Sequence, residues 1–233
     1  MQQFYTPSLL PNATTHLLDE QESKHLVRVL RKKGGETIRL TNGKGYLFWG
    51  ELEVLTPKKC KVHISNTKYI EPSIHEVHLA VAPTKNMDRF EWLLEKATEI
   101  GVHRITPILC DRSERRQLKM ERCHKIIATT VKQSLRAYTP ILETLTPLKN
   151  FRTDAPITCL AHCEDSPKLT LKQAVKNYPK SCVLIGPEGD FTPNEIEWAT
   201  HQNIQAVHLG NARLRTETAA LVALHTAALL HNT

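Results

Sequence analysis

From Phe4 to about Ile70 apolar and polar residues alternate in short runs. "ETIRL", "LFWGELEV" and "KCKVHIS" each show the period-two pattern of a strand with one buried face. "TNGKG" between the first two is a hairpin signal of the Asn-Gly kind. Ahead of them, "ESKHLVRVLRKKGG" predicts a short helix ended by glycines, with Lys24, Arg28, Arg31 and Lys32 forming a basic face. These elements predict a small β-barrel-like module. "YIEPSIHE", where Pro72 breaks the pattern, reads as a boundary, so residues 1–71 and 72–233 are expected to form two domains.

Beyond Pro72 strands and helices alternate. "EVHLAVAP" is a strand, and "MDRFEWLLEKATEI" an amphipathic helix with Phe90, Leu93, Leu94, Ala97 and Ile100 on one face, capped by Asp88 and closed by Gly101. "RITPILC", the helix "KMERCHKIIATTVKQSLRA", and the strands "ITCLAHC", "SCVLIG" and "AVHLG" follow. This repetition predicts a parallel sheet with helices on both faces. The last helix, expected over Thr218 to Leu230, is apolar nearly all round, so its own domain or a partner must bury it.

Cys182 to Ile185 form an apolar run, stopped by Gly186-Pro187, that reads as a strand buried on both faces. Thr192 as N-cap, Pro193 at the first helical position and Glu195 completing a capping box predict a helix from about Pro193. "GPEGD" therefore lies where ligands bind in open α/β sheets, outside the carboxyl end of a strand. It matches neither a P-loop nor a dinucleotide fingerprint. Glu188 and Asp190 would repel a pyrophosphate and tolerate a cationic ligand better. A plain strand-to-helix turn would account for the same residues.

The chain of 233 residues has ample length for a real core. No apolar run approaches the ~18 residues of a membrane span, and "MQQFYTPSLLPN" lacks a basic start followed by an apolar stretch, so no membrane association and a cytoplasmic location are expected. The six cysteines are scattered and suit small reduced hydrophobes. Cys159, His162 and Cys163 in "CLAHC" lack a second ligand pair, and "HEVH" alternates like a strand, so no metal site is expected. The net charge of +7 is uneven: residues 1–70 carry 11 Lys and Arg against 6 Asp and Glu, and residues 104–136 carry 9 against 3. Two basic patches point to a polyanion, nucleic acid being the usual one, although charge runs are also ordinary solvated faces.

"LIGPEGDFTPNEIE" followed by "LGNARLRTETA" resembles the RsmE family of ribosomal RNA uridine methyltransferases, within the knotted SPOUT superfamily. "HLVRVLR", "NGKGYLFWGEL", "KNMDRFEWLLEKATEIGV", "DRSERR" and "QSLR" resemble family segments in the same order. Two departures stand out: Asp190 replaces a common second glycine, and Ala212-Arg213 replaces an Arg-aliphatic pair. The resemblance implies a PUA-like N-terminal RNA-binding domain and an α/β domain of the SPOUT type, a parallel sheet with a C-terminal trefoil knot. It implies S-adenosyl-L-methionine as cofactor, N3 of a uridine in the 16S RNA of the small ribosomal subunit as target, and a homodimer.

On that resemblance Leu160, Ile185, Gly186, Pro187, Glu188 and Gly189 are expected to bind the cofactor, together with Leu209, Gly210, Leu214, Arg215, Thr216, Thr218 and Ala219. Arg112, Arg115 and Arg116 join Lys24, Arg28, Arg31 and Lys32 as expected RNA contacts. The target N3 carries a proton at neutral pH and faces its Watson–Crick partner, so the base must be unpaired and deprotonated. Glu217 or Glu188 as base and Arg215 as cation would serve, with Arg136 reaching from a second subunit; Arg215 and Glu217 paired as a structural cap, and Arg136 as a surface side chain, are the alternatives. Leu221, Val222, Leu224, Ala228 and Leu229 wrap more of the last helix than one packed face covers, in keeping with a dimer. Ribose 2′-O-methylation on the same fold, and a non-catalytic RNA-binding assembly factor, remain competing activities.

Overall fold

The computed structural model describes residues 2–230, which divide into two compact units: residues 2–72 with 128–139, and residues 73–127 with 140–230. In the first unit β1 (Gln3–Tyr5), β2 (Thr15–Leu17), β3 (Thr37–Thr41), β4 (Tyr46–Thr56) and β5 (Lys59–Tyr69) form one sheet in the order β1-β3-β4-β5-β2. All its pairings are antiparallel except β1 with β3. Phe4, Leu26, Leu40, Phe48, Leu52 and Val62 fill its core. The basic helical stretch is α1 (Glu20–Lys24), capped by Asp19, running into a π-helical turn over His25–Val29. Residues 128–139 are tied to this unit by long-range bonds: Gln3 Nε2 donates to the carbonyls of Val131 and Arg136, and Gly45 N–H to that of Ala137.

The second unit is built on a parallel sheet. Its strands are β6 (Glu76–Val81), β7 (Arg104–Leu109), β8 (Ile141–Leu142), β9 (Thr146–Pro147), β10 (Thr158–Ala161), β11 (Leu169–Thr170), β12 (Lys180–Ile185) and β13 (Gln205–His208), in the order β11-β13-β10-β12-β6-β7-β8 with β9 also on β7. The helices are α2 (Met87–Ile100), α3 (Met120–Gln133), which runs on into the first unit, α4 (Leu171–Val175), α5 (Pro193–His201) and α6 (Thr216–Leu229). Leu79, Val81, Val183 and Val207 pack with α2, α4 and α6 into one core; Ala80, Ile108, Leu160, Cys182 and Leu184 pack with Phe151, Phe191 and Ala199 of α5 into another. Two separate cores on one sheet are the signature of helices on both faces, as the alternation of elements predicts.

Local signals decide where most helices begin and end. α5 starts at Pro193, with the reciprocal Thr192–Glu195 capping box in place. α2 ends at Gly101, whose φ of 104° is the left-handed region that glycine adopts without strain. Its start corrects the sequence expectation: Asn86, not Asp88, is the N-cap, because the Asn86 Oδ1 accepts the Asp88 N–H at 2.9 Å. The acid at Asp88 instead occupies the first turn, where the helix dipole favours it. α6 likewise begins at Thr216, not Thr218, with Arg215 as N-cap. Ala220, Ala223, Leu224 and Ala227 are its buried apolar positions, while Leu221, Val222 and Ala228 are half-buried and Leu229 is 55% exposed.

Candidate active site

β13, β10 and β12 are neighbours in the sheet, and their carboxyl ends open onto one side of the second unit. A cavity of about 600 Å³ lies there, within the size range of small-ligand sites. Its wall takes Ala161 to Glu164 from the end of β10, Asp190, Phe191 and Pro193 from the loop and helix after β12, and Val207 to Leu214 from β13 and the loop beyond. Arg112, Lys168 and Ala219 complete it.

The loop after β12 is held from several sides. Asp190 N–H donates to the Pro187 carbonyl at 2.9 Å, closing a tight turn. Thr216 Oγ1 at the start of α6 donates to the Gly186 carbonyl at 3.2 Å. Arg112 Nη1 donates to the carbonyls of Gly189 at 2.8 Å and Phe191 at 3.3 Å. At Gly186 a Cβ would come within 3.1 Å of the Phe191 ring, so only glycine leaves that ring in place. Across the cavity Gly210 has φ 125° with open space around it, a conformation suited to glycine alone.

Of the residues expected to hold a cofactor, Leu209, Gly210, Leu214 and Ala219 border the cavity. Leu160, Ile185, Gly186 and Pro187 are buried, and Glu188, Gly189, Arg215 and Thr218 are exposed; none of these eight, nor buried Thr216, lies on its wall. Glu188 Oε1 accepts the Lys85 N–H at 2.9 Å. Glu217 is buried in the first turn of α6; its partner is Arg89, with Nε 3.8 Å from Oε1, and its Oε2 has no hydrogen bond. The expected alternative of an Arg215–Glu217 cap is therefore replaced by an Arg89–Glu217 pair. Arg136 follows α3 in the first unit, half-buried.

The expected RNA contacts divide similarly. Arg112 is exposed yet forms part of the cavity wall, Arg115 Nη2 donates to the Lys85 carbonyl at 2.8 Å, and Arg116 is exposed. In the first unit Lys24 pairs with Glu20 and Lys32 with Glu36, each at 2.6 Å. Arg28 and Arg31 are exposed and have no ion pair among the described residues.

The sequence reading placed neither His162 nor Lys168 at a ligand site. His162 is 6% exposed, and neither ring nitrogen has a hydrogen-bond partner. Burial first, and then the positive Lys168, hold its imidazole below the ordinary histidine value. Lys168 Nζ donates to the carbonyls of His162 at 2.9 Å and Glu164 at 2.5 Å, fixing the segment after β10. The wall combines the apolar Ala161, Val207, Leu209, Leu214 and Ala219 with the charged Arg112, Glu164, Lys168, Asp190 and Arg213.

The chain is similar to known proteins in sequence and in fold. The family pattern of the RNA methyltransferase domain matches residues 71–228, and that of the RNA methyltransferase PUA domain matches residues 18–65. Fold, site and these matches define an RNA methyltransferase, which sets aside the reading as a non-catalytic assembly factor. The ribosomal RNA small subunit methyltransferase E of Bacillus subtilis (strain 168) is 30% identical over 244 residues, covering 96% of this chain and 94% of its own. Among solved structures, a probable rRNA-methyltransferase from Porphyromonas gingivalis aligns with TM-score 0.91 and 34% identity over 99% of this chain and 98% of its own. A ribosomal RNA small subunit methyltransferase E from Neisseria gonorrhoeae, solved with S-adenosyl methionine bound, aligns with TM-score 0.85 and 27% identity over 96% of this chain and 95% of its own. The chain belongs to the ribosomal RNA small subunit methyltransferase E family.

Proposed function

We propose that this protein transfers a methyl group from S-adenosylmethionine to N3 of a uridine in the 16S RNA of the small ribosomal subunit. The observation that carries the reading is the cavity at the ends of β10, β12 and β13, walled by the two segments whose sequences resemble the family's motifs. Its residues suit the cofactor. Leu209, Leu214, Val207 and Ala161 offer an apolar bed for a nucleoside, Gly210 leaves room for close backbone approach, and the carboxylates of Asp190 and Glu164 suit a cation. When bound, the cofactor supplies an electrophilic methyl group on a positively charged sulfur.

The chain's own residues then have two tasks. One is to take the N3 proton, which opposes attack by nitrogen; Glu217 is the proposed base, through the Oε2 left without a protein partner, while Arg89 holds the other oxygen. The second is to stabilise the uracil anion, for which Arg215, exposed beside wall residue Leu214 at the start of α6, is the proposed cation. The finer reading of the path from β12 to α6 as a trefoil knot rests on the resemblance of its two motifs. Such knots are rare among folds. The partly exposed Leu221, Val222 and Leu229 on α6 support a homodimer in which Arg136 of a second copy assists the target base.

Calorimetry with S-adenosylmethionine and a transfer assay on small subunits lacking the modification test the reading together. Binding with labelled methyl incorporated into 16S RNA is expected. Binding without transfer would refute the substrate, and no binding would refute the site.

A further inference from the structure

Asp190 is a non-glycine residue in the left-handed region, with φ 63°, a conformation uncommon for side-chain-bearing residues outside turns and functional sites. Its carboxylate is fixed there by two backbone donors. Phe191 N–H reaches Oδ1 at 2.8 Å, and Cys163 N–H, from the segment after the neighbouring strand β10, reaches Oδ2 at 2.8 Å. Glu188, the other acid of the same turn, is engaged by Lys85 and lies off the wall. Of the remaining charged groups bordering the cavity, Arg112 and Lys168 direct N–H groups to main-chain carbonyls, leaving Glu164 and Arg213 exposed.

We propose that Asp190 discriminates the charge on the cofactor sulfur, favouring the sulfonium form over the neutral thioether product. This rests on the cavity being the S-adenosylmethionine site. Methyl transfer forms the N3–CH3 bond and breaks the S–CH3 bond; the bonding pair stays on sulfur, the sulfonium charge is lost, and the N3 proton goes to the base. A carboxylate pinned at the wall by main-chain N–H groups cannot swing away to follow the ligand, so its attraction is present before transfer and absent after it. The same residue that joins the loops after β10 and β12 thereby helps product leave.

The test compares affinities for S-adenosylmethionine and S-adenosylhomocysteine by calorimetry in the parent, Asp190→Asn and Asp190→Gly. Parent protein that binds neither compound refutes the cofactor site itself, and with it this inference. Given binding, Asp190→Asn is expected to lower the ratio of the two affinities about tenfold, the scale for unit charges several ångströms apart in a half-open site. Most of the loss should fall on the sulfonium compound. Glycine accepts the backbone conformation without strain, so Asp190→Gly serves if the asparagine variant fails to fold; it should weaken both compounds through loss of the two bonds and lower the ratio as much. An unchanged ratio in either folded variant overturns the proposal.

Discussion

Replacing Thr216 by valine removes one hydroxyl and nearly preserves shape. Thr216 is 5% exposed, and its Oγ1 donates to the Gly186 carbonyl at 3.2 Å, so the bond is made out of water and joins the start of α6 to the loop after β12. A buried acceptor left without its donor costs about 1–3 kcal/mol, and the apolar methyl that replaces the hydroxyl recovers part of this. A net loss of about 1–2 kcal/mol is expected, which for a protein of this size lowers the melting temperature by roughly 2–8 °C. The loop loses its tie to α6, so S-adenosylmethionine affinity should fall as well, by about tenfold if the released loop must be reordered on binding. Denaturation followed with calorimetry on the same samples reads both effects, and Thr216→Ser, which keeps the donor, should restore both. A valine variant with the parent's midpoint and the parent's affinity would show that the bond neither stabilises the fold nor shapes the site.

Gly186→Ala should weaken cofactor binding measured by calorimetry, because its Cβ would meet the Phe191 ring at 3.1 Å and displace a residue of the cavity wall; unaltered affinity would mean that the ring yields without consequence. His78, buried and hydrogen-bonded to Thr106 and Thr153, has its pKa lowered to about 4 by burial and then by the charge of Arg104. The unfolded chain binds this proton from about pH 6.5 downward and the folded chain only near pH 4, so stability is full above pH 6.5 and falls by up to about 3 kcal/mol as the pH drops to 4. Urea titrations across that window should show the decline flattened in His78→Gln. For RNA binding, Arg28→Ala with Arg31→Ala should reduce the slope of log affinity against log salt by about 1.5, at roughly 0.7–0.9 for each phosphate deprived of its cation. Lys24→Ala with Lys32→Ala, whose charges are already paired within the protein, should change it less.

Regular elements were legible where a local rule governs them. Period-two alternation gives β3 to β5, the apolar run Cys182–Ile185 gives a central strand buried on both faces, and the Thr192–Glu195 box gives the start of α5. The start of α2 was misplaced because Asn86 and Asp88 are both good caps and only the bond between them tells which one caps. No local pattern reveals that residues 128–139 join the first unit, since their ties to Gln3 and Gly45 span more than ninety residues. The site was legible as two glycine-bearing loops after two strands. Its third wall was not: His162 and Lys168 stand in a stretch that reads as a strand end and a polar loop, and only the adjacency of β10 to both β12 and β13 brings them to the cavity. The sequence shows Asp190 as an acid of the loop, but its bond to Cys163 N–H crosses between loops that sequence leaves unconnected.

The central claim is the chemistry delivered at this cavity, and the nucleoside product reads it directly. Small subunits from cells lacking the enzyme are incubated with the purified protein and S-adenosylmethionine carrying a labelled methyl group. The 16S RNA is then digested and its nucleosides separated and identified by mass spectrometry. Labelled N3-methyluridine at one position is the result this account predicts; label in a 2′-O-methylated nucleoside, or none in 16S RNA, would contradict it.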